Sequence, residues 1–245
     1  MKVSLNFLWI AFMWSGLLMA VPAPGPDENL KPFIRWLLED GERLEHVRFA
    51  DVVEAVSGFR VLPVDAAAEP DAALLQCIHT VVTAMLLDLA QSGHPVHQAK
   101  RINETSRYIE DELLTRLNRE PELDCRIPPT AAGDFQRSGY PDLRVQHLPS
   151  GRVFYLDPKV YQEGSETSSF RTFYFEPKRE TNKILEDASH LILGISHGGK
   201  VNGCWQFEAW QLVDLVDFRV RLKAEFQASN RELYRGEAVK LQSQP

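Results

Sequence analysis

The hydrophobic repeat of this chain changes period once, and the change falls at a proline-rich break, "PELDCRIPPTAAGD", residues 121–134. Before the break, apolar residues recur at spacings of three and four. After it, they form short runs separated by turn residues. A chain patterned this way must pack helices on a sheet, so the expected class is α/β or α+β with a mixed sheet. The length of 245 residues and the 44% hydrophobic content supply one sizeable core.

On the helical side, residues 29–45 place Leu30, Phe33, Ile34, Leu37, Leu38 and Leu44 on one face. "FADVVEAVSGFRVLPVD" reads as a short helix and then an apolar strand-like run ending at Pro63. Asp71 is placed to cap a helix through "ALLQCIHTVVTAMLLDLAQSG" to Gly93. "HQAKRINETSRYIEDELLTRLNRE" reads as an amphipathic helix with Ile102, Ser106, Ile109, Leu113 and Leu117 in line. On the strand side the pattern predicts strands over 143–147, 153–156, 170–175 and 190–196. A hairpin turn at "LPSG" joins the first two, and a helix is expected over "EPKRETNKILEDAS", residues 176–189. The segment from Trp205 reads as a further strand, a mixed stretch and a last helix.

The first residues stand apart. "MKVSLNFLWIAFMWSGLLMAVPAPGP" has one early lysine and then no charge until Asp27. That is the layout of a secretory signal peptide, with cleavage after Ala20 and export to the periplasm or outside the cell. The same uncharged run is long enough to serve as an uncleaved membrane anchor. Once a leader is removed, no membrane partner is expected. Cys77, Cys125 and Cys204 are an odd number with no C-x-x-C spacing, which argues against structural zinc and leaves any disulfide pairing open. The formal net charge of −7 comes wholly from the half before Thr130, and the rest is neutral. A local basic groove is therefore not excluded.

The residues that point to chemistry lie in "YPDLRVQHLPSGRVFYLDPKVY", residues 140–161. Asp142 opens one strand of the expected hairpin, and Asp157 and Lys159 stand two apart on the return strand. Side chains alternate across a strand, so Asp157 and Lys159 share a face, and pairing brings that face beside Asp142. Two carboxylates that close repel each other unless a cation intervenes. Mg²⁺ takes oxygen ligands, often only one or two carboxylates, and accepts phosphate oxygens; Mn²⁺ can take its place. A lysine beside it can stabilise charge on a phosphate or orient the attacking water. Pro158 lies between them, and proline is normally confined to sheet edges and bulges; the other arrangement is a turn at Asp157-Pro158, with Asp142 and Lys159 as solvated charges.

Pro141-Asp142, followed by Asp157-Pro158-Lys159, resembles the PD-(D/E)xK nuclease superfamily, which includes many type II restriction endonucleases. The resemblance covers about 100 residues. It implies a restriction-endonuclease-like αβββαβ core with a mixed central sheet over 100–245, preceded by a helical extension over 27–99 and the leader over 1–20. It further implies metal-dependent hydrolysis of DNA, with Asp142 and Asp157 as metal ligands and Lys159 assisting the attack. A carboxylate from the preceding helix completes the set: Glu110 in "SRYIEDELL", with Glu104 as its rival. Ser196, His197 and Lys200 of "GISHGGK" would then lie near DNA, although that stretch also reads as a strand end with a glycine turn. Lys178, Arg179 and Lys183 would touch phosphates, or else line a solvated helix start. The resemblance leaves room for a homodimer. The alternative from another class is an exported binding or interaction protein that keeps the fold without the activity.

Overall fold

A computed structural model describes residues 30–39, 44–169, 173–223, 225, 227–234, 239 and 241. The leader expected over 1–20 lies outside them. The chain divides into two units, one of residues 1–42 with 224–245 and one of residues 43–223. In the first, helices α1 (Lys31–Glu39) and α5 (Asn230–Leu233) are described. The second holds β1 (Val47–Arg48), α2 (Phe49–Ser57), α3 (Glu69–Leu89), α4 (Ser106–Leu117), β2 (Leu123–Arg126), β3 (Leu143–His147), β4 (Val153–Gln162), β5 (Ser189–Val201), β6 (Cys204–Asp214) and β7 (Arg219–Val220). The expected border at residue 100 falls inside this unit.

Five strands form a mixed sheet in the order β2-β3-β4-β5-β6. Only the β4–β5 pair is parallel. A mixed sheet with helices against it is the class expected from the change of period, and it is consistent with the restriction-endonuclease-like core. The β3–β4 hairpin pairs Leu143 with Leu156 and Gln146 with Val153. Its turn closes with the His147 N–H on the Arg152 carbonyl at 2.8 Å. Gly151 there has φ of 71°, a conformation that side chains resist. Alternation along β4 sends Phe154, Leu156 and Val160 into the main core with α3 and α4. It sends Val153 and Tyr155 to the opposite face, into a smaller aromatic core around Phe49.

Pro158 is accommodated by the same alternation. Because Arg152 faces β3, so do residues 154, 156 and 158. The last β3 residue, Leu143, stands opposite Leu156. The missing N–H of Pro158 therefore points past the end of β3, where no ladder bond is due.

Three local readings change. Residues 97–120 form two short 3₁₀ turns, Pro95–Gln98 and Ile102–Thr105, and then α4. Asp71 does not cap α3, whose N-cap is Ala68; it lies buried in the first turn, accepting the Asp65 N–H at 2.8 Å and pairing with Arg152 at 3.1 Å. The helix expected over 176–189 is absent, and Phe173–Phe175 form no strand. Residues 170–172 lie outside the described set. Pro177 has no N–H to give a helix, and the backbone is committed elsewhere. The Asn182 carbonyl accepts Ala131 N–H at 2.7 Å, the Glu180 carbonyl accepts Ala132 N–H at 3.2 Å, and the Asn182 side chain accepts Ile184 N–H at 3.1 Å. Residues 173–188 of the β4–β5 crossover thus form a non-helical strap against the aromatic core.

That core holds a buried imidazole with a consequence for acid stability. His190 shares a 2.8 Å hydrogen bond with the Tyr140 hydroxyl through Nδ1, while its Nε2 has no partner among the described residues. Burial pushes its pKa down to about 3. The folded state therefore refuses a proton that the unfolded chain takes up near pH 6.5, so stability is intact above 6.5 and falls as the pH drops toward 3. Between pH 6.5 and 5 the expected loss is ~2 kcal/mol. Urea unfolding of His190→Gln should show this slope removed; an unchanged acid slope would contradict the assignment.

Candidate active site

Asp142 stands one residue before β3, after a cis Tyr140–Pro141 bond. Asp157 lies in the middle of β4, 1% exposed, and Lys159 follows on the same face. The three converge. The Lys159 ammonium lies in close contact with Asp157, 3.7 Å from Asp142 Oδ2 and 3.5 Å from the Pro158 carbonyl. Each carboxylate lies within the electrostatic reach of the other. Asp157 Oδ2 is buried without a hydrogen bond of normal geometry, although the ammonium touches it.

The electrostatics follow from this crowding. Burial, and then the charge of Asp157, push Asp142 up to about 8, against the pull of Lys159. Burial works to lower the Lys159 pKa, but Asp157 and Asp142 outweigh it and the shift is upward. The lysine is the cation between two carboxylates that would otherwise repel.

Glu110 stands within electrostatic reach of the cluster on α4, which is held to the core by the fully buried Ile109, Leu113 and Leu117. Truncating a buried leucine of this kind to alanine costs about 2–5 kcal/mol, so the helix gives Glu110 a firm base. Burial raises the Glu110 pKa and Arg137 opposes the shift; Asp157 lies within its electrostatic reach. Arg137 Nη1 donates to Glu110 Oε2 at 3.3 Å and Nη2 pairs with Asp111 at 2.5 Å. Glu104 is used elsewhere. It accepts the Lys100 N–H at 2.8 Å and the Arg101 N–H at 3.4 Å, closing the 3₁₀ turn.

Other candidates are held by the fold. Lys200 donates to the carbonyls of Ala99 at 2.6 Å and His97 at 3.1 Å. "GISHGGK" runs inside β5, with register breaks around His197, and does not form a strand-end turn. The Ser196 hydroxyl and the backbone of Ala209 are hydrogen-bonded to each other across the β5–β6 ladder. Lys178 and Arg179 are exposed, whereas Lys183 is fully buried. Cys77, Cys125 and Cys204 are free thiols. Arg137 was not singled out by the sequence, because it lies in the irregular stretch after the break, where no period marks it.

Among the described residues, no group of three or more His, Cys, Asp or Glu side chains forms a metal-ligand set. The pair that could hold a divalent ion is Asp142 with Asp157. A buried oxygen without a proper donor and a carboxylate that ionises reluctantly suit an ion that needs few protein ligands. Beside Lys159 opens a cavity of 530 Å³, with Tyr161, Gln162, Phe173, His197 and Gln211 in its lining. A second cavity, of 480 Å³ around Cys77 and His147, includes no member of the cluster.

The family model described as the type II restriction enzyme MjaV family matches residues 43–237. The span takes in the whole of the compact unit that carries the cluster. The type II restriction enzyme MjaV of Methanocaldococcus jannaschii is 28% identical over 222 residues, covering 86% of this chain and 94% of that protein. A match over that much of the sequence shows the family: the chain belongs to the MjaV family of type II restriction enzymes.

Proposed function

We propose that this protein is a divalent-metal-dependent endonuclease of the PD-(D/E)xK type that hydrolyses phosphodiester bonds in DNA. Family membership supports the endonuclease activity and DNA as its substrate. The observation that carries the metal-dependent reading is the closure of Asp142, Asp157 and Lys159 into one partly buried cluster, with Lys159 at the edge of a cavity.

In this reading Asp142 and Asp157 hold Mg²⁺, or Mn²⁺ in its place. When bound, the ion supplies Lewis-acid polarisation of the phosphate and neutralises its charge. Lys159 turns its ammonium from the carboxylates toward the scissile phosphate and stabilises charge that builds in the transition state. Glu110, restrained by Arg137, supports the attacking water from the α4 side. The lining of the adjacent cavity positions the strand next to Lys159 and shields the reacting phosphate from bulk water.

Incubation of the purified protein with phage genomic DNA and supercoiled plasmid tests this. Cleavage is expected with Mg²⁺ or Mn²⁺, and none is expected after EDTA. Calcium should bind yet support little turnover, because its larger, looser shell positions the reactants poorly. Cleavage that persists in EDTA would overturn the metal dependence, and intact DNA under every divalent ion would overturn the nuclease reading.

A further inference from the structure

Lys183 is a buried cation to which the mechanism above gives no task. Its neighbours Lys178 and Arg179 are exposed, but Lys183 is 0% exposed. Its Nζ donates to the carbonyls of Gln136 and Arg137, both at 3.4 Å. Two long bonds to neutral acceptors are poor compensation for a desolvated ammonium, which is kept in a fold only when opposite charge stands near. That charge is the active-site cluster: Asp142, Asp157 and Glu110 all lie within its electrostatic reach and work against the downward pull of burial on its pKa. Lys183 is thus a third cation around Asp142, Asp157 and Glu110, beside Lys159 and an Arg137 that also pairs with Asp111.

The geometry gives this third cation a specific lever. Lys183 grips the backbone of Arg137, and the Arg137 guanidinium grips Glu110. The strap reinforces the grip, because Asn182 and Glu180 bind the backbone of Ala131 and Ala132 in the same loop. We propose that Lys183 is a positioning residue of the active site, which fixes Glu110 by holding the Arg137 loop against the strap. The proposal rests on the nuclease reading, since it assigns Glu110 a part in cleavage. It also explains why a lysine lies in a segment whose local pattern predicts a solvated surface.

A double-mutant cycle separates positioning from mere support of the fold. Single-turnover DNA cleavage is measured for wild type, Lys183→Met, Glu110→Gln and the double variant, at a temperature where each is folded by circular dichroism. Lys183→Met is expected to slow the chemical step about tenfold with DNA affinity unchanged, and to add nothing in the Glu110→Gln background. Lys183→Arg should recover part of the rate. Effects that simply multiply would show that Lys183 acts independently of Glu110 and would overturn the proposal. Should Lys183→Met fail to fold, the lysine ¹⁵Nζ resonance of the otherwise unaltered chain gives the answer. It is expected to shift when Glu110 becomes Gln, and a resonance that does not move would overturn the coupling. A wild-type protein that leaves DNA intact with every divalent ion would instead defeat the nuclease reading itself, a result that the cycle cannot mimic.

Discussion

Asp157→Ala protein is expected to fold like wild type and to cleave DNA slower by on the order of 10³-fold or more, with divalent-ion affinity lost in step. The same holds for Asp142→Ala. The size follows from removing one of the two carboxylates proposed to hold the ion. The retained fold follows from the strain at the site. Asp157 Oδ2 is buried without a proper donor, and Asp142 is pushed up to about 8 by burial and by Asp157. A carboxyl whose folded pKa is raised gives stability that is complete below its unfolded value near 4 and is lost progressively as the pH climbs to 8. In EDTA, wild type should therefore lose on the order of 2 kcal/mol between pH 6.5 and 8, and Asp142→Asn should not. An Asp142→Ala variant as active as wild type would leave the acid pair without a role.

Lys159 calls for a different signature. Lys159→Met is expected to lower the cleavage rate by about 10²-fold with DNA affinity near wild type, since its charge acts mainly on the transition state, and to bind the divalent ion more tightly, since the competing ammonium is gone. The metal-free variant should also be less stable, because the two carboxylates lose the ammonium that lies between them. Added Mg²⁺ should restore that stability, which distinguishes a replaceable counter-charge from a packing role. Lys159→Arg should recover little, as the wider planar guanidinium does not fit where a compact ammonium sits. A rate unchanged in Lys159→Met, measured under single-turnover conditions, would remove the lysine from the mechanism.

How much of this was legible in the sequence depends on distance along the chain. The β3–β4 hairpin and α4 were readable because alternation and helical spacing are local properties of 143–156 and 106–117. Asp142, Asp157 and Lys159 came together because strand geometry alone carries them there. The strap over 176–189 was misread as a helix, because its helix-like spacing is local while the bonds that replace the helix, from Ala131 and Ala132, come from some 50 residues away. The burial of Lys183 was hidden for the same reason. The residues before it are polar, and only the fold brings Gln136 and Arg137 over it. Arg137 itself gave no signal. Asp71 was legible as a helix-start residue but not as the partner of Arg152, which lies 81 positions away.

Asp142 and Asp157 are the proposed seat of the divalent ion. Anomalous diffraction from a crystal of the protein soaked in Mn²⁺ reads this directly. The account predicts a peak between the two carboxylates, with the Lys159 ammonium displaced toward the adjoining cavity. A map with no peak at the pair, or with its strongest peak away from both aspartates, would contradict it.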